Sequence, residues 1–96
     1  MYVHYTTRFI YEVDEQADYH AQYSRTRASR FVENVFRQAD FLKKNPYMGR
    51  KVPEFNLEAV RELLFRNFRL VYQITSAERL DILTIQTTHR PLRLSL

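Results

Sequence analysis

The sequence predicts an α+β fold in which a short N-terminal strand leads into an antiparallel helical hairpin packed on a three- to four-stranded antiparallel sheet. Three features carry this prediction. Apolar residues recur at spacings of three and four from Phe9 to Leu42. A stretch with proline, glycine and no helical period follows, from Asn45 to Ala59. From Arg61 onward, apolar and polar residues alternate as they do in half-buried strands.

Tyr2 to Tyr5 alternates aromatic and smaller side chains and is expected to form the first strand. Thr6 or Thr7 can then accept a hydrogen bond from the following turn, which starts a helix. Phe9, Ile10, Val13, Ala17 and Ala21 line one face of that helix to about Tyr23, and its carboxylates lie in the first half, where the helix dipole favours them. Ser24 caps a second helix, whose residues Ala28, Val32, Val35, Ala39 and Leu42 repeat in steps of four and three. Phe31 and Phe36 widen its stripe, Lys43 and Lys44 complement the negative end of the dipole, and Asn45-Pro46 stops it. Two amphipathic helices with so short a link pack as an antiparallel pair.

Tyr47 to Ala59, with Gly49 as the chain's only glycine, is predicted to be an ordered loop. Three strands follow, Arg61 to Arg66, Phe68 to Thr75 and Leu80 to Thr88, with turns at Asn67 and at Ser76 to Arg79. In the middle strand Phe68, Leu70, Tyr72 and Ile74 alternate with Arg69, Val71, Gln73 and Thr75. The helical hairpin is the only element able to cover the apolar face. Arg69 is therefore expected on the other face, uncovered, beside the Gly49 to Glu54 loop and the tail after His89.

A chain of 96 residues is expected to form one domain, spanning 1–96, and its apolar content of 45% supplies a core without metal or disulfide staples. Cysteine is absent, which excludes disulfide scaffolds, iron–sulfur clusters, Cys-ligated zinc and thiol nucleophiles. No signal-peptide-like or membrane-spanning run occurs, so a cytoplasmic, non-membrane protein is expected. His4, His20 and His89 lack metal-ligand spacing, and no cofactor motif is present. Residues 1–22 hold one basic residue against four acidic, and residues 23–96 fourteen against seven, so the basic body should attract polyanions or acidic proteins.

In order, the chain carries a Thr-capped helix, Asn45-Pro46-Tyr47-Met48-Gly49-Arg50-Lys51-Val52-Pro53-Glu54, Arg61-Glu62-Leu63, Phe68-Arg69-Leu70-Val71-Tyr72 and His89-Arg90. This ordered set resembles the RelE/ParE superfamily of type II toxin–antitoxin systems, whose members include plasmid stabilisation proteins. The resemblance covers almost the whole chain and implies two helices on an antiparallel sheet. It also implies a small antitoxin partner that wraps the toxin with a segment folding on contact. RelE-like members cut messenger RNA on the ribosome, whereas ParE-like members poison DNA gyrase. In the YoeB group of RelE-like chains the catalytic Glu, Arg and His fall on Glu54, Arg69 and His89, but the terminal Tyr of that group is replaced by Arg90. The tail Arg90-Pro91-Leu92-Arg93-Leu94 is closer to a ParE-like ending.

The resemblance therefore implies a ParE-like growth inhibitor of gyrase. The alternative within the superfamily is a metal-independent endoribonuclease, with Glu54 as base, Arg69 as phosphorane-stabilising cation and His89 as acid. An inactive homologue acting as a binding module is the third possibility. Arg69 has a structural alternative as the ion-pair partner of Glu54 or Glu62, and Arg61 as that of an acidic neighbour. Lys43, Lys44, Arg50, Lys51, Arg61, Arg90 and Arg93 are the cations expected to meet a nucleic acid or another target. Tyr47, Phe55 and Phe65 are better placed for core or antitoxin contact than for base stacking.

Overall fold

The computed structural model describes residues 1–96. Strand β1 (Tyr2–Tyr5) is followed by helices α1 (Thr7–Ala21) and α2 (Arg25–Lys44), then by strands β2 (Arg50–Lys51), β3 (Val60–Phe65), β4 (Phe68–Ser76) and β5 (Arg79–Thr87). Both predicted caps are used. The hydroxyl oxygen of Thr6 accepts from the Phe9 N–H and that of Ser24 from the Arg27 N–H, each at 3.2 Å. Helix α1 ends at Ala21, short of Tyr23, where both Tyr23 and Ser24 donate their N–H groups to the His20 carbonyl.

The sheet has five strands in the order β1-β5-β4-β3-β2. This extends the predicted three- to four-stranded antiparallel sheet in two ways. Strand β1 runs parallel to β5, from Tyr2 opposite Arg79 to Tyr5 opposite Ile82. The predicted loop contains the short strand β2, which pairs antiparallel with Arg61 and Glu62. Strands β3, β4 and β5 form the expected meander. At the β3–β4 turn it is Arg66 that takes the left-handed conformation, with φ 53.

The two faces of the sheet are filled differently. Helices α1 and α2 bury Phe9, Val13, Phe31, Val35, Ala39 and Leu42 against Leu70, Tyr72, Leu80, Ile82 and Ile85. Tyr5, Phe9 and Phe36 form an aromatic group within this core, with ring centroids 5.3 to 6.0 Å apart. Opposite, Val52, Val60 and Val71 make a smaller cluster that Phe55, Leu83, Leu92 and Leu94 cover. Leu83 reaches that cluster because a bulge opposite Val71 and Tyr72 inserts it as an extra residue in β5.

Where β1 stops, the edge of β5 would carry unpaired backbone groups, and polar side chains occupy them. Thr6 donates its hydroxyl to the Ile82 carbonyl at 2.7 Å. Glu12 accepts from the Ile85 N–H at 3.2 Å and from the Thr84 hydroxyl.

Candidate functional site

Strand alternation places Arg69 on the face away from the helices, as expected, but it is not uncovered. It is 9% exposed, because the loop before β3 lies over this face and the tail covers the adjoining valine cluster. In that loop, Phe55 and Asn56 both donate their N–H groups to the Val52 carbonyl, and Asn56 closes the turn with φ 51. The turn points Glu54 back at the sheet.

The result is a ladder of alternating charge. Arg50 Nε donates to Glu62 at 2.7 Å, and Glu62 accepts from Arg69 Nε at 2.6 Å. Arg69 Nη1 and Nη2 then hold the two oxygens of Glu54, each at 2.8 Å. The Glu62 side chain is 0% exposed and that of Arg69 10%, while those of Arg50 and Glu54 are 59% and 42%, so the ladder is buried at its centre and reaches the surface at both ends. The hydrogen bonds from Arg69 hold the Glu54 carboxyl well below the usual range, at about 2. Those same bonds, with the neighbouring carboxylates, raise the pKa of Arg69.

The close approach of loop to sheet depends on Gly49. A Cβ there would lie 2.6 Å from the Glu62 carbonyl oxygen and 2.7 Å from the Tyr72 hydroxyl. The Gly49 N–H donates to that hydroxyl at 3.0 Å, and the hydroxyl donates onward to the Pro46 carbonyl at 2.7 Å. Arg61 completes the clamp. It donates to the Gly49 carbonyl at 2.7 Å and to Glu58 at 2.6 Å, and its guanidinium lies 4.9 Å from the Tyr47 ring centroid.

The tail is fastened through Gln86, the residue opposite Arg69 in the β4–β5 register. Its amide nitrogen donates to the Arg93 carbonyl at 2.9 Å, and its amide oxygen accepts from the Arg93 N–H at 3.0 Å. Arg8 donates to the same carbonyl. Leu92 and Leu94, on either side of Arg93, pack on the valine cluster.

His89 lies elsewhere. It is exposed, its ring makes no hydrogen bond, and it lines a cleft with Arg8, Glu12, Glu15, Arg90 and Arg93. Neither Glu54 nor Arg69 lines that cleft. Thus the chain joins Glu54 to Arg69 directly and leaves His89 outside their network. Of the cations singled out in the sequence, Arg50, Lys51, Arg61 and Lys43 are paired with carboxylates, the last with Asp40 at 3.3 Å. Lys44, Arg90 and Arg93 make no ion pair. No group of three His, Asp or Glu side chains is placed to hold a metal ion.

A general base needs a carboxylate free to take a proton, with a pKa near the working pH. Glu54 offers neither, since both its oxygens are held by Arg69. The positive charge of Arg69 is likewise spread over two carboxylates. Tyr72 and Gln86, which also build this region, were not singled out as site residues in the sequence. Glu62, expected as one alternative partner of Arg69, shares a strand face with Val60 and lies near Arg69 once β3 and β4 are paired.

A family model described as the ParE toxin of the type II toxin–antitoxin system parDE matches residues 3–91. Among solved structures, one from the chromosomal ParDE toxin–antitoxin system of P. aeruginosa is similar in fold, with a TM-score of 0.74 at 21% identity. The match covers 91% of this chain and 95% of that one. No curated protein matches the chain.

Proposed function

The chain belongs to the ParE toxin family of type II toxin–antitoxin systems, and from that premise we propose that it arrests growth by acting on DNA gyrase while a cognate antitoxin holds it silent. The observation that carries this reading, against messenger RNA cleavage, is the closed ladder through Glu54, Arg69 and Glu62. RNA cleavage without a metal calls for a base, a free cation and an acid around one phosphate. Here the base and the cation neutralise each other, and His89 faces a different cleft. The ladder acts as the brace of a binding surface, in one protein domain spanning 1–96.

The antitoxin is proposed as a small protein whose segment folds on contact, which suits a chain that is basic overall and leaves Tyr19, Tyr23, Met48 and Leu64 exposed. A cytoplasmic site of action is part of the same proposal; no helix of the chain is long and apolar enough to cross a membrane. Of the cations named from the sequence, Arg90 and Arg93, unpaired around the His89 cleft, are the proposed target contacts.

Induced expression of the chain, with transcript ends mapped and plasmid supercoiling followed, tests the proposal. Loss of supercoiling with intact transcripts is the expected result. Cuts at ribosomal A-site codons that vanish in His89→Ala would overturn it in favour of a nuclease. Normal growth with abundant folded protein would identify an inactive homologue.

A further inference from the structure

The net charge of +4 is not spread over the molecule. Helix α2 holds six basic side chains against two acidic ones, whereas the rest of the chain holds nine of each, so the whole excess resides in this helix. Four of the six share one row. Arg27, Arg30, Asn34, Arg37, Phe41 and Lys44 follow one another every three or four residues, the spacing that stacks side chains along one side of a helix.

The row is turned away from the core. Its four cations and Phe41 are exposed, while Phe31, Val35, Ala39 and Leu42 are buried on the other side. None of the four cations is in a salt bridge. Arg37 makes one neutral contact, a 2.9 Å hydrogen bond to Asn34. Of the two acidic residues beside the row, Asp40 is taken up by Lys43, and only Glu33 is free. Like charges placed three or seven residues apart along one side of a helix repel, so fold stability gives no reason for this row.

We propose that the outer face of α2 binds the phosphate backbone of duplex DNA. Its only large exposed apolar side chain is Phe41, too little for the apolar centre that a protein partner requires. Cations alone are enough for a phosphate backbone. The helical rise sets Arg30, Arg37 and Lys44 about 10 Å apart. The major groove of B-form DNA is roughly 12 Å wide, so successive cations can reach phosphates on its two walls as the helix lies across it. The deep, narrow major groove of A-form RNA does not match that spacing. This surface is separate from the Glu54–Arg69 ladder and independent of the gyrase reading, so either proposal can fail alone.

The test is fluorescence anisotropy of a labelled random-sequence DNA duplex titrated with the purified chain between 50 and 200 mM salt. With three to four phosphates neutralised, the logarithm of the binding constant should fall against log salt with a slope of about −3. Arg30→Gln/Arg37→Gln should weaken binding by about tenfold or more at the lowest salt and flatten the slope by about 2, with circular dichroism unchanged. Arg25→Gln/Arg66→Gln removes equal charge off the row and should change affinity less than about twofold. Absence of saturable binding at low salt would overturn the proposal. So would equal losses in both double variants, or tighter binding of an RNA duplex or polyglutamate.

Discussion

The two faces of the sheet are both buried, but by different physics. On the helix side, large apolar and aromatic side chains from five elements interlock, and each is backed by several neighbours. On the other side three valines are supplemented by Arg50, Glu62, Arg69 and Glu54, whose contacts are directional hydrogen bonds between charges. Burial without direction tolerates substitution in proportion to the volume lost. A buried charge depends on its partners, and in this ladder the two buried members, Glu62 and Arg69, are the ones whose loss of a partner water cannot make good. The helix face is thus suited to holding the fold, and the ladder to fixing the loop and its surface in one arrangement.

The sharpest way to break that contrast is Glu62→Ala. It leaves Arg69 and Arg50 close together without the carboxylate between them and should cost about 3–5 kcal/mol in urea unfolding. The helix-side comparison is Leu42→Ala, about 2–4 kcal/mol. A loss below about 1 kcal/mol for Glu62→Ala would show that the ladder is not directional in this sense.

Gly49→Ala comes next. The added methyl meets the Glu62 backbone and the Tyr72 ring, and neither is the free end of a flexible side chain. A loss of about 2 kcal/mol is expected, with faster amide exchange confined to residues 46–54.

The smallest effect is on pH dependence. Arg69 lowers the Glu54 pKa from 4.5 to about 2, so the unfolded chain takes up this proton before the folded one does. The stability contributed by the pair is therefore complete above pH 4.5 and is lost as pH falls toward 2. Urea midpoints of the wild type and Glu54→Gln should differ most at neutral pH and converge across that interval. A gap that stays constant would mean that packing, not charge, holds Glu54 in place.

The helices were legible in the sequence because their period is local and each has its own cap at Thr6 and Ser24. The division of β4 into two faces was legible for the same reason. The parallel pairing of β1 with β5 was not, since no turn between them fixes a register and the partners lie at opposite ends of the sequence. Strand β2 escaped notice because two residues are too few to show alternation. At the candidate site, the sequence offered Glu54 and Glu62 as alternative partners of Arg69, and the fold uses both at once. That follows from the fork of the guanidinium, which can serve two carboxylates from different edges. The tail was expected beside this face, but its packing through Leu92 and Leu94 onto the valine cluster was hidden, because a tail without periodic pattern does not show which side chains it buries.

The pairing of β1 with β5 also dictates a chronology. Tyr2 has no partner until Arg79 exists, and the Thr6 hydroxyl has no acceptor until Ile82 has been made. During translation the helical hairpin can form early from local contacts, but the first strand waits for the last. The sheet is thus completed from both ends of the chain only late in translation, and a ribosome-bound fragment that stops short of these residues leaves its first strand unpaired.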